Sequence, residues 1–405
     1  HGQRGACGMH DGFCSPAGRN GSGGGGEEAG NGVSVLDVSS APMTDEEKEA
    51  LKWVKIDEKN FPDEKFRNFV HDGMTGEYKP FWDVLYPSIK INQNDDDWLS
   101  PNEIEAIKFI DCNMQGIGDL TGIGHFKALE ILDCQLNQLT ELNVDNNTAL
   151  ERLICYSNQL TALNVGNNTK LTFLGCGFNP LTALNVSKNK ELRELYCFDS
   201  QLTELDVSEN TALWILQCYN NRLTELTVGK NTPLRELMCN NNQLAKLDVS
   251  QDTELRGLKC DSNQLTELDV SKNKALESLI CNNNQLTKLD VSNNTALKQL
   301  LCSYNQLTSL DLGNTNVGKK EDYNFDADGN RYNIELDSNN QFDLSTLPGR
   351  TLPGHFDVSK AKDWSGGTVS GNILTVDKGV DKVTYTYDCG TTQKGKQCLV
   401  MFTLN

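Results

Sequence analysis

One acidic segment of the chain spaces its oxygen-bearing residues as a calcium-binding loop does. The segment is INQNDDDWLSPNEI, residues 91–104, and its oxygen donors fall at every ligand position of a twelve-residue loop. These donors are Asn92, Asn94, Asp96, the carbonyl of Trp98, Ser100 and Glu103. Asn92 replaces the usual first aspartate, and Asp97 stands where glycine normally turns the chain, so both departures lower the affinity for calcium. Two hypotheses follow: a structural calcium ion, or a solvated acidic turn between a strand and a helix that Ser100 caps.

Residue types that catalyse reactions are few and scattered along the chain. The five histidines, none of which lies within the repeats, are His1, His10, His71, His125 and His355. Acidic residues are abundant, yet none recurs beside a nucleophile or a base in a recognisable local motif. We therefore predict that the protein is not an enzyme and that no cofactor is required, with structural calcium as the one open case.

Nine cysteines follow one another at a constant interval of 21 residues: Cys134, Cys155, Cys176, Cys197, Cys218, Cys239, Cys260, Cys281 and Cys302. Around each one the sequence follows LxxLxCxxNxLTxLxVxxNxx, as it does between Leu150 and Lys170. Such a repeat predicts a leucine-rich repeat solenoid, an α/β fold that is mainly parallel β. A column of thiols invites a redox or metal hypothesis. Because a buried free cysteine commonly packs as a small apolar side chain, we assign the column to the core.

The repeat resembles that of bacterial cell-surface leucine-rich repeat proteins, in particular the internalins that carry a cysteine ladder with 21-residue repeats. The phrase LTxLDVSxN, complete at Leu265–Asn273 and Leu286–Asn294, is similar to that of secreted proteins from gut and oral bacteria. The resemblance extends over roughly residues 129–312. It implies a secreted or surface-exposed bacterial protein, with an EF-hand-like cap before the repeats and a β-rich or immunoglobulin-like module after them.

The pattern divides the chain into four predicted regions. Residues 1–42 form a flexible Gly-rich tether, in which Cys7 and Cys14 form a small disulfide loop or stay free. Residues 43–126 form a helical cap with the EF-hand-like loop, and Thr44 and Asp45 cap a first helix through EEKEALKWV. Residues 127–318 form the solenoid of nine cysteine-ladder units, and residues 319–405 form a β-rich C-terminal module. In that module Cys389 and Cys398 flank GTTQKGKQ, where a disulfide and two free thiols are both open.

Each LxCxx segment is predicted to form a short parallel strand whose leucine and cysteine point into the core. Stacked strands lie about 4.8 Å apart, so the nine predicted strands make a sheet roughly 40 Å long. Too few residues return the chain on the far side for a crossover helix, so we expect extended segments or short 3₁₀ turns there. A column of asparagines follows the cysteines, and its amides are expected to satisfy inward-facing backbone groups. Ser200 interrupts this column.

The outward strand positions of the middle repeats are apolar and aromatic, although a sheet that faces water is normally polar on that side. We call these residues the concave aromatic field and predict that they bind a ligand. The field comprises Ile154, Tyr156, Phe173, Tyr196, Phe198, Trp214, Ile215, Tyr219 and Met238. The alternatives are a ladder of stacked rings that stiffens the sheet, or a face that another subunit covers.

Charge narrows the kinds of partner. The net charge of -19 repels nucleic acid phosphates and anionic membranes, and no run of about 18 apolar residues is present to span a bilayer. With the resemblance, this predicts an extracellular or cell-surface adhesion protein whose concave face recognises a host or neighbouring-cell protein or glycan. The alternative is a structural spacer or self-assembling surface element whose concave face packs against another subunit.

Overall fold

The computed structural model describes residues 42–75, 88–229, 233–318, 324–348, 356–392 and 397–405. The predicted tether, with Cys7 and Cys14, lies outside these residues. Asp45–Asn405 forms one compact unit. No helix in the described ranges is both long enough and apolar enough to cross a membrane.

The described part of the cap contains three short helices and one two-stranded antiparallel sheet. These elements are α1 (Asp45–Ala50), β1 (Val54–Lys55), α2 (Glu64–Asp72), β2 (Trp98–Leu99) and α3 (Pro101–Ala106). In α2 the Asp63 side chain accepts a hydrogen bond from the amide of Phe66, and Phe66 and Val70 are fully buried. The first helix is shorter than EEKEALKWV predicted. It ends at Ala50, Lys52 adopts a left-handed conformation, and the β-branched Val54 pairs with Leu99 in the two-stranded sheet.

The solenoid carries one eleven-stranded sheet in which every neighbouring pair of strands is parallel. Its strands are β3 (Phe109–Asp111), β4 (Ile131–Asp133), β5 (Arg152–Ile154), β6 (Phe173–Gly175), β7 (Glu194–Tyr196), β9 (Ile215–Gln217), β11 (Glu236–Met238), β12 (Gly257–Lys259), β13 (Ser278–Ile280), β14 (Gln299–Leu301) and β15 (Phe325–Asp326). The sheet therefore begins one coil before the nine predicted cysteine units. Cys112 lies in that first coil and is fully buried.

Leucine and cysteine point inward in every coil of the ladder, as the repeat predicted. Leu195 and Cys197, for example, are fully buried. Glu194, which precedes them, and Tyr196, which lies between them, are partly exposed. Burial raises the pKa of the Cys176, Cys239 and Cys281 thiols to about 12, so they stay protonated at neutral pH. The described residues contain no cluster of three or more metal-ligating side chains. These observations assign the ladder to the core.

Two columns of buried asparagines tie successive coils together. In the column that follows the cysteines, the Asn158 amide donates to the carbonyls of Cys134, at 3.0 Å, and Cys155, at 3.2 Å. The Asn158 oxygen accepts from the amide of Leu139 at 3.1 Å, which confirms the predicted role of this column. A second column, not singled out from sequence, lies on the far side of the core. There the Asn168 amide donates to the carbonyls of Val144 and Asn147, both at 2.9 Å.

The convex side consists of turns and short extended pieces. Its longest regular feature is a parallel pair of strands, β8 (Glu204–Asp206) and β10 (Glu225–Thr227), and isolated bridges join Asn143 to Asn164 and Asn164 to Asn185. The carboxylates of Asp248 and Asp269 accept hydrogen bonds from the amides two residues on, which lowers the pKa of both. Extended segments or short 3₁₀ turns were predicted on this side, and the structure shows turns joined by short extended pieces.

The C-terminal module is β-rich and lies against the last coil. Its strands are β16 (Arg331–Tyr332), β17 (Gln341–Asp343), β18 (Ala361–Ser365), β19 (Gly367–Ser370), β20 (Ile373–Val376), β21 (Val383–Thr391) and β22 (Gln397–Leu404). They form a four-stranded sheet, β16-β22-β21-β18, and a three-stranded sheet, β17-β20-β19. The buried Tyr385 hydroxyl donates to the Thr308 carbonyl at 2.6 Å. Cys389 and Cys398 are both buried, and the choice between a disulfide and two free thiols stays a prediction.

Candidate ligand-binding face

The concave aromatic field occupies the outward side of β5, β6, β7, β9 and β11. The parallel register places Phe173 beside Glu194, Tyr196 beside Gln217, and Gln217 beside Met238 on successive coils. Most members of the field are partly exposed, whereas Ile154 is 92% buried because its neighbours cover it. The sheet therefore presents these side chains outward, and their number makes the middle of the concave face apolar.

Within the field, the rings of Tyr156, Phe198 and Tyr219 stack in one series, and those of Phe173 and Tyr196 form a pair. The Phe198 and Tyr219 rings stack in parallel with centroids 4.7 Å apart. Tyr156 stacks on Phe198 at 5.8 Å, and Phe173 lies at a tilt to Tyr196 at 5.3 Å. Contacts of this kind contribute beyond simple burial. Part of the aromatic surface is thus used within the sheet, as the stacked-ladder alternative predicts.

Two glycines let these rings lie close to the backbone. A β-carbon at Gly175 would lie 2.4 Å from the Tyr156 ring, and one at Gly177 would lie 2.9 Å from the Phe198 carbonyl oxygen. Side chains at these positions would therefore displace the rings. The coil that contains Gly175 and Gly177 therefore presents a flat surface, and the aromatic side chains of both neighbouring coils pack on it.

Polar groups border the ring cluster. The Tyr196 hydroxyl donates to Glu194 at 2.8 Å, and burial together with the Glu194 carboxylate raises the pKa of Tyr196. The Arg152 guanidinium lies over the Phe173 ring, 4.0 Å from its centroid, in a cation–π contact. Of the four other members of the field, Trp214, Ile215 and Met238 line a separate hollow towards the C-terminal coils, and Ile154 is buried on β5. The structure therefore groups five of the nine predicted residues as rings in contact with other rings, which we call the ring cluster, and places three beside them.

Sequence reasoning missed a line of exposed apolar side chains at one edge of the concave sheet. Met114, Leu136 and Tyr304 are 70%, 49% and 61% exposed, and Phe178, at the same position of its own coil, is 53% exposed. All four occupy the second position after a ladder cysteine, and all four have positive φ. Asparagine adopts this conformation more readily than a bulky residue does. The signal available in the sequence was a large apolar residue where other repeats have Asn or Ser.

The predicted calcium loop is closed by its own hydrogen bonds. Glu103 is 96% buried and accepts hydrogen bonds from the amide of Gln93 and from the amide and hydroxyl of Ser100, at 2.7 to 2.8 Å. The Ser100 oxygen in turn accepts from the Glu103 amide, so the two residues form a capping box that starts α3. The oxygen of the Asn92 amide is buried and has no hydrogen-bond partner, which fits a cation ligand at the first position. The calcium site stays a prediction.

A buried carboxylate lies at the N-terminal end of the concave sheet. Asp133 is 92% buried beside Asp111, its partner in the parallel register, and accepts two hydrogen bonds from Gln135. Burial, with a smaller contribution from Asp111, raises the pKa of Asp133 to about 6. The ionised form is therefore disfavoured in the folded protein.

Replacing Asp133 by asparagine should stabilise the protein at neutral pH and flatten its pH dependence. Because the folded-state pKa is raised, the stabilising contribution of the protonated carboxyl is complete below about pH 4 and is lost as the pH rises through 6. The wild type should therefore lose on the order of 2 kcal/mol between pH 4 and pH 7.5 relative to Asp133→Asn. Urea unfolding of both proteins at these two pH values measures the difference. Parallel pH profiles would contradict the assigned role of Asp133.

Comparison with solved structures finds leucine-rich repeat proteins. The functional domain of InlJ from Listeria monocytogenes, which includes a cysteine ladder, is 25% identical, with 87% of this chain and 99% of that chain covered and a TM-score of 0.43. The internalin InlF from the same species is 19% identical over 63% of this chain and 85% of that one, with a TM-score of 0.39. The ectodomain of the Arabidopsis thaliana receptor kinase GASSHO1/SCHENGEN3, solved with CASPARIAN STRIP INTEGRITY FACTOR 2, is 22% identical over 51% of this chain and 27% of that chain, with a TM-score of 0.42.

The solved structures that the chain resembles thus include internalins, one of them with a cysteine ladder, as the repeat predicted. The chain's own 21-residue coils and buried cysteine column fit that resemblance. No protein-family model matches the sequence, and no curated protein matches it.

Proposed function

We propose that this leucine-rich repeat chain is a secreted or surface-exposed adhesion protein that binds a protein or glycan of a host or neighbouring cell. The concave aromatic field is the proposed contact surface. One observation carries the proposal: five rings and their apolar neighbours are clustered on the outward side of the sheet, where folding requires no apolar residue. Aromatic side chains supply large contact area with little conformational freedom to lose, which suits them to binding.

The stacking of the rings does not by itself account for the whole surface. Phe178 packs edge-on against Phe198 at 5.4 Å and still leaves 53% of its surface exposed. A ring held at positive φ, with half of its surface in water, adds little to the stability of the sheet. An apolar contact surface for a partner explains both its position and its exposure.

Substitutions taken from neighbouring repeats can test the field without disturbing the fold. Gln217 and Asn240 occupy, one coil later, the places of Tyr196 and Tyr219. The double variant Tyr196→Gln and Tyr219→Asn should therefore fold and should lose at least about tenfold in affinity for its partner, because both rings leave the contact surface. Immobilised wild type and variant are probed with arrays of host surface proteins and glycans.

The matched control is Leu301→Gln, which makes an equivalent change on β14, outside both the ring cluster and the hollow lined by Trp214, Ile215 and Met238. It should bind as the wild type does, and circular dichroism and melting temperature should confirm that all three proteins fold. Equal capture by the wild type and the tyrosine variant would refute the assignment of the site.

Self-assembly of the chain is the second candidate function. The stacked rings favour it, because an apolar face with ordered rings can pack against the same face of another copy. Analytical ultracentrifugation separates the two functions. Self-assembly would be the function if the wild type forms a concentration-dependent dimer, the tyrosine variant stays monomeric, and neither protein is captured on the arrays.

A further inference from the structure

A column of arginines interrupted by one tryptophan runs along the edge where the concave strands begin. Backbone hydrogen bonds join its members in order: Trp214 donates to Arg193, Arg235 to Trp214, and Arg256 to Arg235, at 2.8 to 2.9 Å. The four residues therefore occupy consecutive rungs, spaced about 4.8 Å apart as parallel strands are. We call these residues the arginine column.

The column presents positive charge on a protein whose net charge is -19. Arg193, Arg235 and Arg256 are exposed, and the Arg235 guanidinium lies 5.8 Å from the centre of the Trp214 ring. No described carboxylate forms an ion pair with Arg193 or Arg235. Arg256 lies 3.6 Å from Glu277, which also pairs with Lys298. The guanidinium groups of Arg193 and Arg235 thus carry charge that no described carboxylate pairs with, and each offers several N–H donors.

A hollow lies directly beside the column because Gly257 has no side chain. A β-carbon built there would approach only the Glu236 side chain, at 3.9 Å. The space measures about 710 Å³, which lies within the range of small-ligand sites. Arg235, Arg256 and Lys259 supply positive charge to its walls, and Met238 and Ile280 supply apolar surface. Glu236 and Glu277 also border it, and Glu277 is neutralised by its two basic partners.

We propose that the arginine column and the Gly257 hollow bind an acidic polysaccharide whose sugar rings carry carboxylates. Guanidinium groups bind carboxylates through two parallel hydrogen bonds, and the apolar wall of the hollow suits the face of a sugar ring. The inference rests on the proposed function in one respect, since both place the ligand on the concave sheet. It names the partner class for the C-terminal half of that sheet.

The apolar wall of the hollow favours a polysaccharide over an acidic peptide. The face of a sugar ring can pack on Met238 and Ile280 while the carboxylate on that ring reaches the guanidinium groups of the column. The acidic side chains of a peptide bring charge to the guanidinium groups and offer no ring face to this wall.

Two variants remove the site in independent ways. Arg235→Gln with Arg256→Gln takes away two charges and leaves Glu277 paired with Lys298. Gly257→Ile fills the hollow with the residue that stands at Ile215, two strands earlier in the same column. The control, Arg222→Gln with Lys246→Gln, removes the same charge from exposed positions away from the column, and glutamine is native at the Arg222 position in the coils on either side.

Calorimetric titration with polygalacturonate, dextran sulfate, neutral dextran and poly-glutamate provides the measurement. Wild type and control should bind polygalacturonate alike, with affinity that falls as salt is added, and both site variants should lose about tenfold or more. Equal binding of neutral dextran or poly-glutamate, binding of dextran sulfate alone, or equal losses in control and site variants would each overturn the proposal.

The tyrosine variant separates this inference from the proposed function. Tyr196→Gln with Tyr219→Asn should still bind polygalacturonate, because neither side chain lines the hollow. Failure of the adhesion proposal leaves that binding intact. Failure of the polysaccharide proposal leaves capture through the ring cluster intact.

Discussion

Replacing Asn221 by alanine should lower the free energy of unfolding by about 3–5 kcal/mol. The Asn221 amide donates to the carbonyls of Cys197, at 2.9 Å, and Cys218, at 3.1 Å, and its oxygen accepts from the amide of Leu202 at 3.0 Å. Asn221 is 91% buried, so water cannot readily replace these bonds. Alanine leaves two backbone groups unsatisfied in the core, the Cys197 carbonyl and the Leu202 amide, each at a cost of about 1–3 kcal/mol before relaxation. The Cys218 carbonyl keeps its second bond, from the Asn242 amide at 3.1 Å. Urea unfolding followed by circular dichroism measures the loss.

The opposite substitution can be made at Ser200, the position where the same asparagine column is interrupted. The Ser200 hydroxyl donates to the Phe198 carbonyl at 3.4 Å and does not reach the coil before it. Ser200→Asn should restore the inter-coil bonds and raise the free energy of unfolding by about 1 kcal/mol. If Asn221→Ala costs less than 1 kcal/mol, or if Ser200→Asn destabilises the protein, the column is not the inter-coil tie described here.

Replacing Glu103 by alanine should destabilise the cap by about 3 kcal/mol. The change removes the acceptor for Gln93, for the Asn94 side chain at 3.3 Å and for Ser100, and it breaks the capping box of α3. Buried Leu99 and Ile107 flank these groups, so the cap and the first coil should loosen together. Trp98 is almost fully buried in the same loop, and its fluorescence reports the change. Glu105→Ala, an exposed position on the same helix, is the control and should have little effect.

Melting temperatures measured with and without calcium test whether the loop binds the ion. If the loop binds calcium, an excess of the ion should raise the melting temperature of the wild type and of Glu105→Ala, but not that of Glu103→Gln, which lacks the bidentate carboxylate. If chelator and calcium leave all melting temperatures unchanged, hydrogen bonds alone hold the loop.

The repeat predicted the solenoid because its leucine and cysteine positions are those that must be buried in every coil. The repeat did not predict the first coil, which contains Cys112. Cys112 precedes Cys134 by 22 residues rather than 21, and the segment after it lacks the LTxLxV phrase. The end of α1 also differed from the prediction, because pairing of Val54 with Leu99 overrode a helical pattern. Tertiary contacts of this kind have no local signal.

The sequence predicted which residues lie on the candidate face, but it did not predict how their rings pack. Period-two alternation identifies which side chains point outward, and Tyr196 and Phe198 were placed correctly on that basis. Whether rings separate or stack depends on the residues of the adjacent coil. Gly175 and Gly177 decide it here, because their missing side chains let Tyr156 and Phe198 lie flat. The arginine column combines residues 21 apart whose shared edge appears only once the coils are stacked.

The two asparagine columns also have a mechanical consequence. Each amide spans two coils, so a force along the solenoid axis loads the columns in series, with every tie bearing the same tension. A chain loaded in this way opens at its weakest tie. One column is intact on both sides of Ser200, through Asn179 and Asn221, and is missing at that coil. Under tension along its axis, the solenoid should therefore first part beside Ser200, within the ring cluster that contains Phe198.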